Sequence, residues 1–453
     1  MPAAAYRLAA RFHRPDGAEV WLWLGILLGA AVLAAIAVAR PTTALLVVIA
    51  AVVVGVLLVR LDLAILAVVA TAPLEAAFSS GPAGISVTKL AGGLCFLSFI
   101  GFVIRSKRRL LLDRSYVLVL GILALAALSS LQALETGPAF STTVRYASFA
   151  GFYVILSQLG HEPVLQRQIA WVLAITASIS AGLGLANYLN GSQEFAQLPY
   201  SNQNDFAFIL ATSLPLMFWL LGSNRALRPL IVGMIGLVFA ATLLSLSRGA
   251  LVGLGAGLVF LLLTDRRRLQ LTLIAGTLAV VATVAVVQSN PQRFHETLFL
   301  KQQVATENVT TRFEAWDAAA RLATDHPFLG VGPGNFQFYY NQLTGRPPGT
   351  LDLTVAHNAY LDIGAEIGLV AMLLFIVYLV MVFARLTASV RESIGPAGYA
   401  QALRISLVIA VVCATFLSEQ YFLPFWLIGG LATAIWAGRT SAPASPVAPA
   451  PFR

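Results

Sequence analysis

Charge is what this chain has least of. Lys, Arg, Asp and Glu make up 11% of its 453 residues while 58% are hydrophobic, which excludes an ordinary soluble globular domain. Cysteine is almost absent. Cys95 and Cys413 are the only two, each inside an apolar run, so neither a disulfide framework nor a metal cluster is available. No cleavable signal pattern is seen, because the first apolar run starts at Trp21 behind Arg7, Arg11 and Arg14 and leads into another. Internal repeats and a second domain are also missing. The Gly/Pro-punctuated "DHPFLGVGPGNF" lacks the strand, lysine and spacing of a nucleotide loop. What remains is a polytopic membrane protein with a mean hydropathy of +0.82. Its pI near 9.8 reports loop charges that orient the chain, and nucleic acid is not an expected partner.

Apolar runs long enough to cross a bilayer, about 17–25 residues each, fall near 21–39, 42–59, 61–77, 85–104, 116–134, 143–159, 168–189, 206–221, 229–246, 249–264, 271–287, 359–384, 403–419 and 421–438. The expected fold is therefore all-α, a polytopic membrane helix bundle of about 12–14 transmembrane helices forming a single transmembrane domain over 1–453. With a cytoplasmic N-terminus, most of the 29 basic residues, including "RSKRR" and "DRRR", fall on the cytoplasmic side, as the positive-inside rule requires. The C-terminus returns to that side, where 440–453, "TSAPASPVAPAPFR", reads as a disordered tail. Residues 288–358 then form the one long external loop, and loops of that length are functional or disordered. Its stretch "TRFEAWDAAARLA" supports function, since Phe313, Trp316, Ala320 and Ala323 share a helical face.

The remaining cations lie on the outer side. Lys89 and Arg145 each sit a few residues into a span that starts outside, and Arg248, in "SLSRGA", occupies a tight external turn. Any one of them alone reads as a snorkelling residue at an interface. Three together point to a ligand or buried partners, because anchoring cations are favoured on the cytoplasmic face. Guanidinium groups make paired, charge-assisted bonds to phosphate oxygens, so an external cluster suits a lipid phosphate or pyrophosphate. In "HNAYLDIGAEIGLV", residues 357–370, Asn358, Asp362 and Glu366 recur every four residues behind His357. The histidine reads either as a helix cap or as a general base with a pKa close to neutrality. Asp362 and Glu366 hold an arginine, orient the imidazole, or line a watery cleft.

"SLSRGALVGL", "DHPFLGVGPGNF" and "HNAYLDIGAEIGLV", in that order around a long loop, resemble the O-antigen ligase and O-antigen polymerase superfamily of bacterial envelopes. The resemblance implies a metal-independent glycosyltransferase without cofactor, multi-pass in the bacterial cytoplasmic (inner) membrane. Its donor would be a polyprenyl-pyrophosphate-linked glycan on the outer face, its acceptor a glycan, lipid or protein, and membrane lipid its surroundings. Carried over residue by residue, the family's histidine falls on His357 with Asn358 beside it, the arginine of the short turn on Arg248, and that of the loop helix on Arg312. The family's Gly-x-x-Gly after the histidine is broken here, Gly368 being followed by Ala371, a residue still small enough for close helix approach.

One mechanism joins the two readings. His357 accepts the proton of an acceptor hydroxyl, and Arg248, with Arg145, Lys89 and Arg312, neutralises the departing pyrophosphate; Asn358 and Glu366 complete the expected substrate-binding set. Three alternatives stand beside this ligase-like transfer, one of them a purely structural scaffold, which would leave the outer arginines unexplained. A polymerase of the same superfamily would extend a repeat unit. A solute transporter would show inverted repeats and midplane polar breaks, whereas the unusual charges here gather at one outer level.

Overall fold

The computed structural model describes residues 41–78, 87–106, 110–199, 201–264, 266–303, 305–345 and 355–441. The span expected near 21–39, the cations Arg7, Arg11, Arg14, Arg40, Lys107, Arg108, Arg109 and Arg346, and the tail beyond 441 lie outside the described residues. The chain divides into two compact units, Met1–Val59 and Arg60–Arg453. In the first, α1 (Pro41–Val59) is apolar all round. The second runs α2 (Leu61–Thr71), a 3-10 turn (Ala72–Leu74), α3 (Glu75–Phe78), α4 (Val87–Ser106), α5 (Ser115–Ser130) and α6 (Thr136–Leu159). It continues through α7 (Pro163–Leu189), α8 (Gln203–Ser223), α9 (Arg228–Leu244), α10 (Arg248–Thr264) and α11 (Arg266–Ser289). After α12 (Pro291–Gln303), α13 (Ala305–Asp325), α14 (Phe336–Thr344) and α15 (Ala359–Glu366), it closes with α16 (Leu369–Arg391), α17 (Tyr399–Cys413) and α18 (Leu423–Ser441).

Every regular element among the described residues is a helix, the form in which an apolar chain satisfies its own backbone in lipid. Helices α4, α7, α8 and α16 are long and apolar enough to cross a membrane; α5, α9, α10 and α17 are shorter apolar helices. The second unit has two distinct ends. At the basic end, the buried guanidinium of Arg385 pairs with Asp113 at 2.7 Å and donates to Thr433 Oγ1 at 2.8 Å, while Trp219 Nε1 donates to the Ala397 carbonyl. A charge taken out of water needs that partner, so the network ties α16 and α18 to the turn before α5. The other end carries α12 to α15 and is called the loop end below.

At the loop end, Ala315, Ala318, Ala319 and Leu322 of α13 are buried against Val331, Phe336, Tyr340, Ala356 and Ala365. The expected face is thereby shifted. Trp316 and Ala323 do turn inward, but Ala320 is exposed and Phe313 is 61% exposed, its ring edge-on to Trp316 at 5.4 Å. Alanine is what lets α13 lie this close to α15, since larger side chains would hold the two helices apart.

The run expected as one span over 359–384 is broken. Gly368 has φ +104°, and a Cβ there would stand 2.5 Å from the Phe328 carbonyl oxygen; only glycine fits such a backbone and such an approach. Leu369 N donates to the Pro327 carbonyl at 2.8 Å. The glycine turn of "DHPFLGVGPGNF" thus wedges between α15 and α16 and sets the short helix apart as a platform. The run expected over 403–419 also stops early, at Cys413, where the polar residues Thr415, Ser418, Glu419 and Gln420 leave the helix.

Candidate functional site

The platform α15 is built by its own polar stripe. Asn358 caps it, its Oδ1 accepting from Tyr360 N and Leu361 N, both at 3.1 Å, while its Nδ2 donates to the Thr415 carbonyl at 3.2 Å. These bonds satisfy first-turn donors that the helix cannot pair internally. One turn on, Asp362 Oδ1 accepts from Ala356 N at 3.1 Å and Oδ2 from Gln420 Nε2 at 3.3 Å. One turn further, Glu366 Oε1 accepts from Phe336 N at 3.2 Å, and the Glu366 carbonyl takes bonds from Gly332 N and Ser129 Oγ. All three residues therefore grip backbone. Asn358 and Glu366, expected in a substrate-binding set, are placed as cap and latch.

Between the backbone held by Asp362 and the cap sits His357, half-buried, with φ +55°. A non-glycine residue in that region carries strain of about 1–3 kcal/mol, sustained only where neighbours over-determine it. Burial, and next the positive charge of Arg312, pull the His357 imidazole down to about 4 from its ordinary 6.5. At neutral pH it is an uncharged imidazole with a free lone pair.

Three cations gather beside it. Arg248 is exposed at the first turn of α10. Arg312, half-buried on α13, donates from Nη1 to the Phe416 carbonyl at 3.4 Å. Lys301, in the last turn of α12, sits 4.9 Å over the Phe195 ring. With the Gln203 amide in the orientation that satisfies both its ends, its oxygen accepts from Lys301 Nζ at 3.1 Å. Burial first, then Arg248 and Arg312, lower Lys301 to about 8; burial and Arg248 lower Arg312 as well. Like charges held together and half out of water are an unfavourable arrangement that a bound anion relieves.

Beneath this cluster runs an apolar groove of about 960 Å³. Leu251, Leu254, Leu258 and Leu261 line it along α10, directly below Arg248, and it reaches Ser223 and Ala397 at the basic end.

Arg145 and Lys89 are not brought into this group. The Arg145 guanidinium lies 5.0 Å over the Tyr421 ring and 5.1 Å over Phe422, and lines a separate cavity with Asp205. Lys89 is exposed on α4, a helix packed on α2 and α6. Lys301 was legible in the sequence only as one more loop charge; its place depends on α12 docking on residues 193–195, where Arg293 Nη2 donates to the Gln193 carbonyl at 2.7 Å.

Residues 233–376 match the family model described as O-antigen ligase. The match supports the O-antigen ligase superfamily. It spans Arg248, Lys301, Arg312, His357 and the whole of α15, and leaves Lys89 and Arg145 outside. The histidine, the three cations and the platform thus all lie within the matched residues. No curated protein matches the chain.

Proposed function

We propose that this membrane protein of the O-antigen ligase and polymerase superfamily is a glycosyltransferase working from a polyprenyl-pyrophosphate-linked glycan. The observation that carries the reading is a neutral histidine, held in a strained backbone, facing a knot of three cations above an apolar groove. Arg248, Lys301 and Arg312 take the pyrophosphate, the groove takes the prenyl chain, and the anomeric carbon is presented at the junction. His357 accepts the proton of the acceptor hydroxyl as that oxygen attacks and the bond to pyrophosphate breaks. The negative charge growing on the leaving group is met by preorganised cations, which is where such sites gain most of their rate. The glycosyl pyrophosphate is already activated, so neither metal nor cofactor is assigned a step. By the positive-inside rule the basic end faces the cytoplasm and the loop end the outer face, in the bacterial inner membrane.

Purified protein in nanodiscs, supplied with the lipid-linked glycan that accumulates in cells lacking the gene, should release polyprenyl pyrophosphate when acceptor is added, in EDTA as without it. Absence of release with every envelope acceptor fraction from the same cells would contradict the reading. The pH dependence sharpens it. As base, His357 works when unprotonated, so kcat/KM should fall only as pH drops through about 4. Lys301 works when protonated, so an alkaline limb should stand near about 8 and move outward in Lys301→Arg. In kcat the acid limb should lie higher, because bound pyrophosphate offsets Arg312. An acid limb that stays in place in His357→Asn would exclude the assignment.

A further inference from the structure

Beside the cation cluster lies a second cavity of about 240 Å³, with both polar and apolar walls. Arg145, Asp205, Ser180, Phe206 and Phe422 are among its walls. We propose that it is a sugar subsite, receiving one hydroxyl-rich ring of a glycan substrate. The proposal rests on the transfer reading above and names where the sugar goes.

Its size is below the roughly 300–1,000 Å³ of sites for drug-sized ligands, which suits one ring and not a chain. Its chemistry is mixed in the way sugars are. A hydroxyl both donates and accepts, and the wall offers a carboxylate acceptor in Asp205, guanidinium donors in Arg145 and a two-way hydroxyl in Ser180. Phe206 and Phe422 supply apolar surface for the C–H faces of a ring. Arg145 faces both Asp205 and Glu419, and the two carboxyl groups share a hydrogen bond, with burial and the Asp205 charge keeping the proton on Glu419. With acids outnumbering the one guanidinium on this wall, the cavity offers a pyrophosphate no net attraction.

Its position is next to the reacting centre. Gln203 and Asn204, the residues before Asp205, bond Lys301 and Ser247, which precedes Arg248. Residues 414–422 make the same connection from the other side. Ala414 and Phe416 carbonyls accept from Ala359 N and Arg312, while Glu419 meets Asp205 and Phe422 lies under Arg145. A substrate with its pyrophosphate on the cations, or its hydroxyl at His357, would have a neighbouring ring at this cavity.

The test compares Asp205→Asn with wild type in nanodiscs, using geranylgeranyl pyrophosphate, which has no sugar, and the lipid-linked glycan extracted from cells lacking the gene. Loss of one charged hydrogen-bond acceptor should weaken binding of the glycosylated lipid about tenfold or more, with geranylgeranyl pyrophosphate bound as before; this outcome supports a donor ring. Unchanged binding of both lipids, with about tenfold more acceptor needed for half-maximal transfer, supports an acceptor ring. In either case Glu419→Gln, whose amide still donates to Asp205, should lose less than Asp205→Asn. All three measurements within threefold of wild type would overturn the proposal. Equal loss toward both lipids would overturn it too, by assigning Asp205 to the anion site. Wild-type protein that binds neither lipid would defeat the transfer reading itself. Matching melting temperatures and elution profiles of the variants guard against a folding effect.

Discussion

His357→Ala should lower the rate of glycan transfer by about 10²- to 10⁴-fold, the usual contribution of a general base, and leave the affinity for lipid-linked donor within about threefold. The division follows from the site's geometry. The anion is assigned to Arg248, Lys301 and Arg312, which come from three separate helices, and none of them depends on the imidazole for its place. The histidine is held instead by Asp362, which bonds the backbone of Ala356, and by the cap at Asn358. Alanine keeps both of those bonds, so the loop should persist and only the proton acceptor should be missing. Single-turnover transfer and equilibrium donor binding, measured on the same preparation, separate the two effects. A variant within about threefold of wild type in rate would exclude His357 as the base. A variant that loses donor affinity as fully as rate would make the histidine a structural support of the cation cluster.

How much of this was legible in the sequence depends on direction. Hydropathy fixes depth along the membrane normal, because a charge within an apolar run marks an end of a span. Depth was enough to bring Arg248 and His357 to one level. It carries no information about position around the bundle, which is set by packing. Arg145 shares the level of Arg248 and yet faces Tyr421 and Phe422, because α6 packs on α18 while α10 packs on α17. Lys301 has the converse history, an unremarkable loop charge brought to the centre by α12. The stripe of Asn358, Asp362 and Glu366 was visible as a pattern, but a polar face looks the same whether it grips ligand or backbone. The break at Gly368 was hidden for a related reason, since its cause is the Phe328 carbonyl, forty residues away in sequence and adjacent only in the fold. The family match covers α10 to α15 and leaves the residues of the Arg145 cavity outside it.

Arg248→Ala should damage both binding and chemistry, and by more than any other cation variant. The guanidinium stands exposed at the first turn of α10, directly above the leucines of the groove, so in the proposed mechanism it meets the phosphates where the prenyl chain enters. Truncating one side of a charge-assisted bond costs about 1.5–3 kcal/mol, which is roughly 10- to 150-fold in donor affinity. The rate should fall by about another 10²-fold, because charge accumulates on the leaving pyrophosphate and the lost interaction is strongest in the transition state. Arg248→Lys should recover little of either, since an ammonium cannot make the two parallel bonds of a guanidinium. Arg312→Ala should differ in kind as well as degree. Its loss also removes the positive neighbour of His357, so the acid limb of kcat/KM should move upward from about 4, though only partway, burial being the larger cause. The Arg248 variant should leave that limb in place, because Arg312 is the charge that acts on the imidazole. Donor titrations and pH profiles of the two alanine variants and the double variant therefore give a pattern rather than a single number. The two losses should combine less than additively, as expected of cations sharing one anion. Additive losses would mean that Arg248 and Arg312 serve separate ligands, and the single pyrophosphate site would have to be given up.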